Sequence, residues 1–165
     1  MKPSIYLVAT DLPGKLYIMP KPSGEWLTED IAHYRLIGID GIVSMLEHDE
    51  ARELALERQR EICSSHQIDF TQFPIADRGL PELKSFKSLV LSIIGKLKNG
   101  EDIAIHCRAG IGRSGMAVCC ALIGFGYSPE DAMALTSEAR GVEVPDTGEQ
   151  REFIGGMAAE LDGLE

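Results

Sequence analysis

The sequence predicts an α/β fold in which helices cover both faces of a mainly parallel central sheet. Short apolar runs typical of buried strands alternate along the chain with longer segments whose apolar residues recur at helical spacing. The chain has 165 residues, of which 44% are hydrophobic and 25% charged, as in an ordinary globular domain with a sizeable core. We therefore expect residues 1–165 to form a single domain.

Five segments have the length and composition of strands. The first two are joined by a turn that contains Pro13 and Gly14, both at positions that suit a tight turn. The predicted strands are Ser4–Thr10, Lys15–Met19, Gly41–Leu46, Ile68–Phe73 and Asp102–His106.

Six segments carry the helical pattern, and several have residues that start or end a helix. Gly38 follows the first as a C-cap, Ser128 precedes the fifth as an N-cap, and Thr147 precedes the sixth. The highly charged segment from Asp49 to Ser65 predicts one surface helix with a single buried stripe, whose acidic side chains face solvent. The predicted helices are Thr28–Ile37, Asp49–Ser65, Glu82–Lys98, Arg113–Phe125, Pro129–Arg140 and Gly148–Leu161.

The net charge of the chain limits the classes of partner that it can bind. Its 26 acidic and 16 basic residues give a formal net charge of -10, which disfavours binding to nucleic acid and to anionic membranes. No apolar run approaches the ~20 residues needed to span a bilayer, and the N-terminus lacks the pattern of a signal peptide. We expect a soluble, cytoplasmic monomer with no nucleic-acid or membrane partner.

The four cysteines lack the spacing of a metal site or a disulfide framework, so we predict no metal, no cofactor and reduced thiols. Cys63, Cys119 and Cys120 lie in helical segments and are expected to be small buried side chains. Only Cys107 lies among residues that suggest chemistry.

Cys107 begins a loop that separates a predicted strand from a predicted helix. Five residues stand between it and Arg113, and we call residues 107–113 the cysteine loop. Open α/β sheets bind ligands beyond the carboxyl ends of their strands, and a helix N-terminus offers free N–H groups and a positive dipole end to an anion. Gly110 and Gly112 allow the backbone to curl so that several N–H groups converge. This setting favours the thiolate of Cys107, which makes it a candidate nucleophile.

Two further residues of this segment have predicted roles. The planar guanidinium of Arg113 matches two oxygens of a phosphoryl group, a geometry that lysine cannot reproduce. The hydroxyl of Ser114 is placed to hydrogen-bond the cysteine sulfur and ease its departure. The predicted phosphate-binding residues are Arg108, Ala109, Gly110, Ile111, Gly112 and Arg113.

The pattern His-Cys-x5-Arg-Ser, here His106 to Ser114, resembles the signature of the protein tyrosine phosphatase superfamily. The resemblance covers roughly residues 40 to 155. It implies a phosphatase domain of the cysteine-phosphatase type, in which the cysteine is phosphorylated transiently, the arginine holds the phosphoryl oxygens, and an aspartate on a separate loop protonates the leaving oxygen. His106 is then expected to support the loop from beneath by hydrogen bonding.

Phe73–Pro81, which we call the acid loop, resembles the loop that bears this aspartate in compact dual-specificity members. It places Asp77 30 residues before Cys107, and it lacks the Trp-Pro-Asp of the tyrosine-only members. Near the C-terminus, Asp146–Ile154 resembles the glutamine-bearing helix of kinase-associated phosphatases. The resemblance therefore implies Asp77 as the general acid and Gln150 as the residue that orients the hydrolytic water.

Other interpretations of the same residues remain open. Gly110 to Gly115 also satisfies the dinucleotide fingerprint G-x-G-x-x-G, but two helices follow where that fold needs a second strand. A sulfurtransferase would have a shorter loop and no aspartate. A phosphoinositide phosphatase would share the catalytic residues, although Ala109 and Ile111 stand where its relatives favour lysines. A non-catalytic phosphate-binding module would have lost the cysteine, the arginine or the acid.

The function that the sequence favours is therefore that of a protein phosphatase. We expect it to hydrolyse phosphotyrosine, and also phosphoserine and phosphothreonine, on a phosphorylated protein through a phosphocysteine intermediate.

Overall fold

The computed structural model describes residues 2–162. Twelve regular elements occur in this range, and they alternate as the sequence predicts. The strands are β1 (Tyr6–Ala9), β2 (Leu16–Met19), β3 (Gly41–Ser44), β4 (Asp69–Gln72) and β5 (Ile103–His106). The helices are α1 (Leu27–Leu36), α2 (His48–Glu53), α3 (Gln59–Ser65), α4 (Leu83–Lys98), α5 (Arg113–Gly124), α6 (Pro129–Arg140) and α7 (Gly148–Glu160).

The strands form one sheet in the order β1-β2-β5-β3-β4. Strands β2, β5, β3 and β4 run parallel, and only β1 pairs antiparallel to its neighbour β2. The predicted mainly parallel sheet is thus confirmed. Because β5 lies at its centre, the loop that follows β5 opens at the middle of the carboxyl edge, where such sheets bind ligands.

The two faces of the sheet pack against different helices. Ile103 and Ile105 of β5 join a core with α4, α5, α6 and α7, whereas Ala104 joins a second core with α1 and α3. This alternation follows from the two-residue period of a strand. Helix α5 is buried along its whole length, and its N-terminus is thereby held rigidly against the end of β5.

The single helix predicted over Asp49–Ser65 is wrong, because α2 ends at Glu53 and α3 begins only at Gln59. The N–H of Leu56 bonds to the carbonyl of Ala51, and Ala55 adopts a positive φ of 59°. These are the features of a Schellman motif, here with alanine where glycine is usual. The turn buries Leu56 in the core with α1 and α3, and that burial outweighs the cost of the left-handed alanine.

Most predicted helix ends are confirmed. Ser128 and Thr147 accept hydrogen bonds from backbone N–H groups in the first turns of α6 and α7. Gly38 follows α1 with a φ of 99°. None of the helices within residues 2–162 has both the length and the apolar character needed to cross a bilayer.

Candidate active site

Cys107 lies at the carboxyl end of β5, at the bottom of a cavity of about 170 Å³. Its side chain is almost completely buried, and its sulfur lies 3.2 Å from the hydroxyl oxygen of Ser114 in the first turn of α5. The Ser114 hydroxyl can donate a hydrogen bond to a thiolate in this geometry. The structure thus places Ser114 against the sulfur as the sequence predicts.

The carbonyl groups of the cysteine loop are held from outside. The carbonyl of Cys107 accepts a hydrogen bond from His106, that of Arg108 from the N–H of Lys21, and those of Ala109 and Gly110 from Arg140. In a trans peptide the C=O and N–H point in opposite directions, so each held carbonyl turns the N–H of its own peptide unit to the other side of the loop.

The N–H groups of these four peptide units, and that of Gly112, are available to an anion. Within residues 2–162, no hydrogen bond uses the N–H groups of residues 108–112. Unsatisfied N–H groups that converge at a helix N-terminus form a site for a phosphoryl group. The backbone of this loop can therefore bind the three equatorial oxygens of a phosphoryl group in transfer.

Gly110 shows why the loop needs glycine at this position. Its φ is 74°, in the left-handed region, and an added Cβ would lie 2.4 Å from the carbonyl carbon of Met19. The close approach to the end of β2 leaves no room for a side chain. The α-carbon of Gly110 thus faces the end of β2, and phosphate binding by its backbone N–H stays a prediction.

Arg113 is the most extensively bonded side chain of the site. It is 1% exposed, and two of its nitrogens bond to the two carboxylate oxygens of Glu50 at 2.7 and 2.9 Å. It also donates to the carbonyl of Ile75. Burial opposes its charge, but the hydrogen bonds that it donates to Glu50 and the negative charges of Cys107, Glu50 and Asp77 raise the pKa of Arg113 above its usual value. The guanidinium is therefore held in one orientation and always charged.

Glu50 is one of two residues at the site that sequence analysis missed. The expectation that the acids of the Asp49–Ser65 segment face solvent is wrong for Glu50, whose side chain is 10% exposed. Its hydrogen bonds to Arg113 hold the pKa of its carboxyl below the usual value, against the opposing effect of burial. The signal for it was its place just beyond the carboxyl end of β3, which neighbours β5 in the sheet.

Asp77 lies across the cavity from the cysteine loop. Its carboxylate oxygen is 3.4 Å from a nitrogen of Arg113, and the side chain is 63% exposed. Asp77 and Cys107 both line the cavity, as do Arg108, Ala109, Ile111 and Gly112. The structure thus brings the predicted acid and the predicted phosphate-binding side chains together around one opening.

Gln150 lies behind the cavity. It is fully buried, its amide oxygen accepts hydrogen bonds from the N–H groups of Asp146 and Thr147, and its amide nitrogen donates to the carbonyl of Gly79. An added Cβ at Gly112 would come within 2.9 Å of its amide oxygen. Gln150 therefore connects α7 to the acid loop and contacts the cysteine loop, but its amide is not turned to the cavity.

Two arginines at the rim differ in their contacts. Arg78 pairs with Asp146 at 2.9 Å, which joins the acid loop to the segment before α7. Arg108 is exposed, and its side chain makes no hydrogen bond or ion pair with any other residue in 2–162. Arg108 is thus the rim cation that is free to meet a ligand.

His106 supports the loop as predicted. One ring nitrogen bonds to the carbonyl of Cys107 and the other to the amide of Gln59. Burial lowers the pKa of His106 to about 4, aided by the charges of Arg113 and Lys21 and opposed by its bond to the Cys107 carbonyl. The imidazole is therefore neutral and fully bonded, and it serves as a structural support.

The other three cysteines are buried. Burial raises the pKa of the Cys63 thiol to about 12 and, by the same cause, that of Cys119 to about 12, and it also raises that of Cys120. They are thus small core side chains, as expected. No cluster of three or more potential metal-binding side chains occurs among the residues that the structure describes.

Arg140, at the end of α6, is a second residue that sequence analysis missed. Its guanidinium donates to the carbonyls of Ala109 and Gly110 at 3.0 and 3.1 Å and lies 4.5 Å from the ring centre of Tyr6. The ring and the loop together hold the side chain in place. Arg140 thereby orients two of the peptide units of the cysteine loop whose N–H groups have no partner within residues 2–162.

Replacement of Arg140 by glutamine should lower kcat/KM of the phosphatase activity that the sequence predicts by about 10- to 100-fold. One fixed hydrogen-bond donor contributes a factor of ~10²–10³ to the rate, and the N–H groups of the two released peptide units would lose part of that factor. Inhibition by inorganic tungstate should weaken in parallel, which a merely destabilised fold would not cause at temperatures below unfolding. Arg35→Gln is the matched control, since Arg35 also donates to a backbone carbonyl, but at Ile39. Equal tungstate inhibition of the wild type and Arg140→Gln would contradict the role.

Comparison with known families identifies a match over most of the chain. The profile of the Swiss Army Knife DSP-PTPase phosphatase domain matches residues 12–150. This range includes the cysteine loop, the acid loop and Gln150.

Individual relatives agree with this match. The chain is 26% identical over 128 residues to mouse cyclin-dependent kinase inhibitor 3, covering 77% of this chain and 59% of the relative. It is 31% identical over 90 residues to a putative tyrosine phosphatase of invertebrate iridescent virus 3, covering 50% of this chain and 38% of that protein. The chain thus spans less than two thirds of these relatives.

A solved structure has the same fold. The crystal structure of a kinase-associated phosphatase, with serine in place of its catalytic cysteine, superposes with a TM-score of 0.87 and 21% identity. The superposition covers 99% of this chain and 98% of the other.

Proposed function

This chain belongs to the DSP-PTPase phosphatase family, and on that premise we propose that it is a cysteine-dependent protein phosphatase. The observation that carries the proposal is the convergence of Cys107, Arg113 and Asp77 on one cavity, beside five backbone N–H groups that have no hydrogen-bond partner among residues 2–162. Nucleophile, phosphoryl-binding cation and proton donor are the three groups that this reaction needs.

In the first step the Cys107 thiolate attacks phosphorus, so that an S–P bond forms while the ester P–O bond breaks. Asp77 donates its proton to the departing oxygen, which leaves as a neutral hydroxyl. Arg113 has five N–H donors, and four of them face Glu50, Ile75 and Asp77. The Nε–H and the donor that faces Asp77 lie on one edge, and this edge binds two phosphoryl oxygens.

In the second step water attacks the phosphorus of the phosphocysteine. Asp77, now a carboxylate, takes the proton of the water, and the S–P bond breaks to regenerate the thiolate. Ser114 donates a hydrogen bond to the departing sulfur across the 3.2 Å that separates them. Gln150 aligns the water only if its amide nitrogen first releases the Gly79 carbonyl, so this role stays a prediction.

The substrate that we propose is a phosphorylated protein. Its phosphotyrosine, and also its phosphoserine or phosphothreonine, would enter a cavity lined by Arg108, Ala109 and Ile111 on one side and Arg78 and Asp146 on the other. Among the residues that the structure describes, those lining this cavity include no aromatic side chain that could select tyrosine by stacking. The extent of the domain over residues 1–165, its monomeric state and its cytoplasmic location stay predictions.

The purified protein should hydrolyse an aryl phosphate in the presence of a chelator, with a bell-shaped pH dependence of kcat/KM. Asp77→Asn should remove the alkaline limb, because the amide has no proton to lose. The rate of Asp77→Asn on an alkyl phosphate should fall by roughly 10²–10⁴-fold relative to the wild type. The fall should be smaller on nitrophenyl phosphate, because its leaving group needs no proton.

Asp69→Asn removes the same charge from the exposed end of β4 and is the matched control. Both limbs should persist in that variant. An alkaline limb that persists in Asp77→Asn would assign the acid to another residue.

A further inference from the structure

An open groove lies beside the cysteine loop and takes no part in the mechanism above. It has a volume of about 610 Å³, against about 170 Å³ for the cavity above Cys107. Trp26, Pro3 and Pro20 supply apolar walls, and the charged residues of its lining are Lys2, Lys21, Glu29 and Asp30. We call it the Trp26 groove.

The groove shares an edge of the sheet with the active site. Strand β2 runs parallel to β5, with Met19 paired to His106, so Pro20 and Cys107 leave the sheet side by side. The N–H of Lys21 then donates to the carbonyl of Arg108. The groove therefore adjoins the cysteine loop on the β2 side of the sheet, whereas the acid loop follows β4 on the opposite side.

Trp26 is left exposed in this groove. Its side chain is 57% exposed, although a tryptophan is large, apolar and usually well covered. It occupies the position just before α1, where its side chain provides no cap. Its exposure thus has no structural role in the described residues, and an exposed aromatic side chain beside an active site is typical of a binding surface.

The charged side chains that line the groove and are not buried are two lysines and one glutamate. Lys2 and Lys21 line it, and Arg108, whose carbonyl accepts a hydrogen bond from the N–H of Lys21, lines the neighbouring cavity. Of the acidic residues, Asp30 is buried and bonded to the N–H of Ser23, which leaves Glu29 as the exposed carboxylate. The four charged residues that line the groove therefore balance, two lysines against two carboxylates, and Arg108 on the cavity side adds a positive charge.

We propose that the Trp26 groove binds the segment of the phosphoprotein substrate next to the phosphorylated residue. An apolar side chain of that segment packs on Trp26 and the prolines, and an acidic side chain meets Lys21 and Arg108. The proposal rests on the proposed function, because the phosphorylated residue in the cavity holds the segment beside the groove. It assigns substrate preference to residues outside the signature and the acid loop.

Trp26 is the one tryptophan of the chain, so its emission reports directly on the groove. Cys107→Ser protein is titrated with phosphotyrosine and phosphothreonine peptides. In each series a leucine and a glutamate are placed at different positions beside the phosphorylated residue, and peptides with alanine at those positions are the controls. The matched peptide is the one whose leucine and glutamate positions fit the groove. A matched peptide should shift the emission to shorter wavelength and saturate. Inorganic tungstate, which fills only the cavity, should cause no such shift.

Activity provides the second measurement. Trp26→Ala in the active enzyme should lower kcat/KM for the matched peptide by about tenfold, with kcat/KM for nitrophenyl phosphate unchanged. Lys21→Glu should remove the preference for glutamate while its backbone N–H still bonds to Arg108. Leu36→Ala is the control, since Leu36 is 83% exposed at the far end of α1.

Several outcomes would overturn the proposal. One is a Trp26 emission that no peptide shifts. Another is a shift caused only by phosphatidylcholine vesicles that contain phosphoinositide, which would make the groove a lipid site. A third is a shift caused only by raising the protein concentration, which would make it a contact between two copies of the chain. Equal peptide kinetics in the wild type and Trp26→Ala would also overturn it while leaving the phosphatase assignment intact. Failure of the wild type to hydrolyse any aryl phosphate would instead remove the proposed function itself.

Discussion

Replacement of Cys107 by serine should abolish turnover, with kcat lowered on the order of 10⁴-fold or more. A hydroxyl at this place is not ionised near neutral pH, and an alkoxide is a far poorer leaving group than a thiolate in the second step. The fold should persist, because serine is nearly isosteric and the loop carbonyls are held by His106, Lys21 and Arg140. Release of phosphate from an aryl phosphate measures the loss.

Tungstate binding shows whether Cys107→Ser has lost only its nucleophile or also the structure of the cysteine loop. Cys107→Ser should still bind inorganic tungstate, since the N–H groups of residues 108–112 and Arg113 remain. Cys63→Ala is the matched control, because it removes a buried thiol from the core with α1 and α3 and should leave kcat near that of the wild type. Turnover by Cys107→Ser at a tenth of the wild-type rate or more would contradict the assignment of the nucleophile.

Arg113→Lys should lower kcat/KM by about 10³-fold although the positive charge remains. The ammonium group of lysine is a point charge, and it cannot contact both oxygens of Glu50 and two phosphoryl oxygens in one plane. We expect the loss mainly in kcat, because the fork contributes most where charge develops on the phosphoryl oxygens. Steady-state kinetics with an aryl phosphate measures the two constants separately.

This substitution should also cost stability, by about 1–3 kcal/mol, because the carbonyl of Ile75 and one oxygen of Glu50 lose their partner in a buried place. Thermal unfolding measures that cost, and the kinetics are taken well below the transition. Arg58→Lys is the control, since Arg58 pairs with Glu61 on the exposed surface of the chain. A kcat/KM within tenfold of the wild type would show that charge alone suffices.

Sequence analysis predicted the elements whose pattern is local. The parallel strands, the Ser128 and Thr147 caps, and the strand, loop and helix around Cys107 follow from periodicity, capping residues and glycines within a few positions of one another. The Asp49–Ser65 helix failed because its break depends on the burial of Leu56 against other elements. A periodic pattern of charge alone cannot report that contact.

The residues of the candidate active site also differ in whether local sequence could predict them. Cys107, Arg113 and Ser114 lie within eight consecutive residues, so their relation is a property of one turn and could be inferred from order and spacing. Glu50 and Arg140 are separated from that turn by dozens of residues, and they reach it only because β3 lies next to β5 and α6 packs on α5. An exposed glutamate and a buried positioning glutamate have the same local sequence.

The chain by itself therefore predicted the proposed nucleophile, the proposed phosphoryl-binding arginine and the α/β order that presents them at the carboxyl edge of a sheet. Tertiary structure alone decided which residues hold that loop in its active shape, how Gln150 is bonded, and that an exposed tryptophan borders the site. The physical reason is that backbone conformation and capping depend on neighbours in sequence. Burial, ion pairing and groove formation depend on neighbours in space.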